Sequence, residues 1–138
     1  MMELLMEYLS GLGAFLIYFG TGVASVVVYF LVYTWVTPHN ELTLIKENNV
    51  AAAAAAMGSL IGFVLPVTSA MIGAIDIVDC ILWAIIAMVV QLLSYLVVRI
   101  LLMPRISSRI EAGELAAGMT LGGVSLTAGL LNAAAMST

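Results

Sequence analysis

Four long stretches of the chain carry no charged residue: Leu12 to Val36, Val50 to Ile75, Cys80 to Val98 and Leu115 to Thr138. Each is about as long as the ~20 apolar residues that cross a ~30 Å hydrocarbon core as a helix. The runs are apolar on all sides and lack the period-two alternation of a membrane barrel strand. The predicted fold class is therefore an all-α membrane protein with four transmembrane helices. Composition agrees, because 9% charged and 64% hydrophobic residues leave too few polar side chains to cover a water-facing surface. The lipid bilayer is the first expected partner.

The same arithmetic excludes several classes. Four Lys and Arg against eight Asp and Glu cannot form a phosphate-neutralising patch, so nucleic acid is not an expected partner. The single cysteine, Cys80, and the single histidine, His39, make no metal-ligand cluster, and neither a cofactor nor a metal is expected. No nucleophile elbow, zinc-hydrolase motif or phosphate-binding loop is present. No nucleophile stands beside His39 in the sequence, so the chain reads as a non-enzyme. Glu3 and Glu7 occupy the place of a signal peptide's positive region, and the first segment is expected to be retained.

The cations orient the chain. Lys46 lies between the first two helices, and Arg99, Arg105 and Arg109 lie at or after the end of the third. The positive-inside rule makes both connections cytoplasmic and puts the N-terminus, the Asp76 to Asp79 turn and the C-terminus outside. Glu3, Glu7, Asp76 and Asp79 then carry the whole net charge of −4 on the outer face. In an oligomer they would form an acidic ring able to concentrate cations or polyamines.

A shift of 65 residues places Ile45 on Ile110, Ala51 and Ala52 on Ala116 and Ala117, Gly58 on Gly123, Leu65 on Leu130, and Ala70 and Met71 on Ala135 and Met136. This predicts two tandem two-helix repeats within a single transmembrane domain, residues 8–75 and 76–138. Both enter the membrane with the same orientation. The equivalent second and fourth helices are expected to cross near the pseudo-axis. Their small-xxx-small pairs, Gly58 with Gly62 and Gly118 with Gly122, suit close packing, and Gly20-Thr-Gly22 suits self-association into a homo-oligomer.

Thr37-Pro-His-Asn-Glu-Leu-Thr-Leu-Ile-Lys-Glu-Asn-Asn-Val-Ala-Ala-Ala, with Pro66, Gln91 and Gly129-Leu-Leu-Asn-Ala-Ala-Ala-Met, resembles the YjfL-type family. These are small bacterial inner-membrane proteins with tandem two-helix units. The resemblance implies a bacterial plasma membrane and a link to envelope stress, and it supplies no activity. Where the family has Gly-Asn before the alanine run, this chain has Asn48-Asn49, so a tight turn there requires Asn at positive φ.

The connections read as helix starts. Thr37-Pro38 matches an N-cap and first helical residue, with Leu42 and Ile45 on one helix face, and Ser108 to Glu111 matches a capping box. His39, Asn40, Glu41, Lys46, Glu47 and Asn49 are candidates for a cytoplasmic docking or entry site. Gln91 and Asn132 are candidate interhelical hydrogen-bonding groups, and Pro66 a kink whose freed carbonyl needs a partner. The favoured function is an oligomeric scaffold or adaptor that recruits a peripheral cytoplasmic protein. The alternative is a small oligomeric channel or carrier for cations or polyamines, with the outer acids at its mouth.

Overall fold

The computed structural model describes all of Met1–Thr138 and is all-helical. Its helices are α1 (Met2–Val36), α2 (Glu41–Lys46), α3 (Val50–Gly73), α4 (Ile77–Val97), α5 (Ile106–Glu111) and α6 (Leu115–Met136), with a π-helical turn over Val98–Leu102 extending α4. Four helices, α1, α3, α4 with its extension, and α6, are long and apolar enough to cross a membrane. Their outward faces carry large apolar side chains throughout, as lipid-facing helices do.

α3 and α6 form the centre and run parallel. Gly118 lies on the Ala51 backbone, Gly58 on Gly122, and Gly129 on Gly62. In lipid the hydrophobic effect cannot drive such pairing, so backbone contact through small residues supplies the packing. Pro66 sits buried inside α3 and lacks the N–H that would have bonded the Gly62 carbonyl. Gly129 packs directly against that carbonyl, where a Cβ would collide with it. The Ser69 hydroxyl donates to the Ala133 carbonyl at 3.2 Å and ties the C-terminal ends of the two helices.

α1 is longer than a bilayer requires. Its 35 residues extend about 52 Å at 1.5 Å per residue, against a ~30 Å hydrocarbon core. Gly22 packs beside Met71, near the end of α3, so most of Met2 to Gly20 runs past the rest of the bundle. Every residue from Met1 to Leu12 is exposed. The helix starts ten residues before the uncharged run and carries Glu3 and Glu7 with it.

Two expected helix starts are corrected. The Thr37 hydroxyl donates to the Tyr33 carbonyl at 3.0 Å and closes α1, while the side chain of Asn40 caps α2, accepting from the Thr43 amide at 3.2 Å. The inward face of α2 is Glu41, Leu44 and Ile45, and Leu42 points out. α5 begins at Ile106, with Arg105 before it and no side-chain cap, so Ser108 lies inside the helix. Ile106 and Ile110 are both buried, one helical turn apart, and a helix starting at Ser108 would leave Ile106 unburied. Asn48 does take positive φ, 66°, before α3.

Candidate functional site

Polar residues concentrate where α1, α2, α4 and α5 meet, at the end of the bundle that carries all four Lys and Arg. Pro38 follows the end of α1 and turns the chain, which carries His39 and Glu41 under the bundle instead of out to solvent. His39 is 2% exposed and Glu41 is fully buried. Glu41 Oε1 bonds His39 Nε2, and His39 Nδ1 lies 3.0 Å from the Ser107 hydroxyl on α5. An ionised carboxylate only accepts, so Nε2 carries the ring proton when the imidazole is neutral, and Nδ1 is then the acceptor. Ser107 must donate. The result is a carboxylate, imidazole and hydroxyl chain joining residues 68 apart in sequence.

Aromatic residues roof this chain. Tyr33 and Tyr95 meet edge to face with centroids 6.0 Å apart, and Tyr29 stacks on Phe63 at 4.4 Å. The hydroxyls of Tyr29 and Ser59 share a hydrogen bond of 2.5 Å. The Tyr33 hydroxyl faces Glu41 and the Tyr95 hydroxyl faces Ser107 and Arg99, close enough to interact but short of full hydrogen-bond geometry. A groove of about 560 Å³ opens beside it, with Leu31, Thr34, Trp35, Pro38 and His39 among its walls.

The six expected docking residues divide by role. His39 and Glu41 form the interior chain just described. Asn40 caps α2, and Asn49 caps α3 by accepting from the Ala52 amide at 3.0 Å while its Nδ2 donates to the Ile110 carbonyl at 2.8 Å. Asn49 is thus a second tie between the two connections. Lys46 and Glu47 remain exposed.

Elsewhere, Gln91 is fully buried and its Nε2 donates to the Ser125 carbonyl at 3.1 Å, joining α4 to α6 beside Gly62. Asn132 Nδ2 is buried without a partner. Asp76 caps α4 by accepting from the Asp79 amide at 2.9 Å, and Asp79 accepts from the Ile75 amide at 3.1 Å. Glu3 and Glu7 stand about 20 Å or more further along α1 than its contact at Gly22, so the four acids form two tiers in one protomer.

Sequence reasoning missed Ser107, Ser59 and the tyrosines. Tyr29 and Tyr33, one turn apart on one face of α1, were a readable signal, whereas nothing in the local sequence pairs Ser107 with His39.

The family described as Domain of Unknown Function (DUF350) matches residues 6–136. The chain is similar to the UPF0719 inner membrane protein YjfL of Escherichia coli (strain K12), 46% identical over 132 residues that cover 96% of this chain and 99% of the relative. The protein of the same name from Escherichia coli O157:H7 matches to the same extent. No solved structure matches the chain.

Proposed function

Because the chain belongs to the DUF350 family and is a multi-pass inner-membrane protein like its YjfL relatives, we propose that it is a homo-oligomeric membrane scaffold. Its two connections form one cytoplasmic platform for a peripheral protein. The observation that carries this reading is the chain from half-buried Ser107 through buried His39 to buried Glu41, reinforced by Asn49 on the Ile110 carbonyl. Removing a carboxylate from water is costly unless it is paired. Plain loops need no such device, whereas a surface that must present a fixed shape does.

Orientation follows from Lys46, Arg99, Arg105 and Arg109, which the positive-inside rule assigns to the cytoplasm with both termini outside. The tandem repeat of residues 8–75 and 76–138 is supported by geometry. α2 and α5 are each six residues long and start 65 residues apart, and the two positive-φ residues, Asn48 and Gly113, are also 65 apart. The platform would then be one short helix from each repeat, exposing Lys46 and Glu47 on one side and Arg105, Glu111 and Glu114 on the other.

Hydrogen exchange tests the platform. A six-residue helix has no stability of its own, so its amides are protected only while the platform is intact. Ser107→Ala is expected to speed exchange in α2 as well as α5. Unchanged exchange in α2 would refute the coupling. The channel reading rests on Asp76 and Asp79, the tier of acids nearer the bundle. It requires cation or polyamine flux through protein-containing liposomes that falls in Asp76→Asn/Asp79→Asn, whereas the scaffold reading expects tight vesicles.

A further inference from the structure

Three of the four cations, Arg99, Arg105 and Arg109, fall within eleven residues at the end of α4, and the backbone there is irregular. The π-helical turn ends with the Met103 amide donating to the Val98 carbonyl at 2.7 Å, and Pro104 then prevents α4 from continuing. This break opens a groove of about 330 Å³ lined by Leu102, Met103, Pro104, Arg105 and Arg109. One wall is apolar and the other cationic.

The geometry points to this groove as a binding site for the head group of an anionic phospholipid, its phosphate between Arg105 and Arg109 and its acyl chains along Leu101 and Leu102. Arg109 donates through Nε to Glu114 at 3.1 Å, which orients the guanidinium and leaves its terminal N–H groups available. Arg105 makes no ion pair and is exposed. Two planar donor forks suit a phosphate better than point charges would. Leu101 and Leu102 are 73% and 56% exposed at the end of a membrane-spanning helix, the depth at which acyl chains give way to head groups. Arg99, Arg105 and Arg109 outnumber Glu111 and Glu114 locally, which favours a net negative lipid over a zwitterionic one. The Lys46 segment offers no comparable excess, because Glu47 adjoins it.

Native mass spectrometry of the full chain with equal amounts of phosphatidylglycerol and phosphatidylcholine of matched acyl chains tests the site. Phosphatidylglycerol is expected to be retained at least about fivefold better, undisturbed by millimolar inorganic phosphate. Arg105→Gln/Arg109→Gln is expected to abolish the preference, and Lys46→Gln to keep it. Equal retention of the two lipids by the wild-type chain would overturn the proposal, as would a preference that survives the double substitution. Displacement by inorganic phosphate would make it a free-anion site, and loss of preference in Lys46→Gln would reduce the effect to overall charge.

Discussion

Glu41 shows how one residue's chemistry dictates its neighbours. A fully buried carboxylate needs a donor, and the one bonded to its Oε1 is His39. Removing one member of a buried pair leaves the other unpaired, at a cost of about 3–5 kcal/mol, whereas replacing both with apolar groups of similar volume is often near neutral. His39→Leu is therefore expected to lower the unfolding midpoint of the detergent-solubilised protein sharply, and His39→Leu/Glu41→Met to recover at least half of the loss. Thermal circular dichroism reads both, and a double variant no better than the single would show that the pair is not the stabilising unit. The pair itself was only half legible. His39 and Glu41 stand two residues apart in the sequence and were singled out together, but their burial depends on α4 and α5, which no local pattern brings to them.

At the scale of elements, the spans were readable because lipid imposes a simple rule, twenty or so apolar residues without charge. The short helices were misread at their starts because capping motifs are weaker than burial. Ser108 to Glu111 fits a capping box, yet Ile106 and Ile110 pull the helix three residues earlier. The small residues of α3 and α6 were legible as packing residues and the two helices as neighbours, but the residue-by-residue pairing was not, since Gly123 reads like Gly122 and faces open space. That difference yields a sharp contrast. Gly129→Ala drives a methyl group into the Gly62 carbonyl and is expected to destabilise by about 1–3 kcal/mol, as overpacking does. Gly123→Ala meets nothing within 4 Å and is expected to be neutral or to stabilise by up to about 1 kcal/mol. Equal midpoints for the two would mean that α3 and α6 are not in backbone contact.

For the whole molecule, the informative mismatch is between α1 and the bundle it leans on. Only Tyr29 and Tyr33 of its 35 residues are buried, and both lie near the end that carries Pro38. Lipid covers the apolar faces of the middle of α1, but the hydrocarbon core is about 20 residues deep, so the first dozen residues extend beyond it. There Leu4, Leu5, Leu9 and Leu12 are exposed, and outside the core the hydrophobic effect acts on them in full. A second copy of the chain offers the same surface, and symmetric pairing of such overhangs buries them without any further element. If the proposed scaffold assembles in this way, its oligomer contact would lie in a segment that the protomer's own packing does not use. A variant lacking residues 2–12 is expected to keep its helical content and thermal midpoint, because those residues touch nothing in the bundle, while its particle mass in lipid nanodiscs falls toward that of a single chain. An unchanged mass would move the contact to Gly20, which is open, or to the lipid-facing sides of α4 and α6.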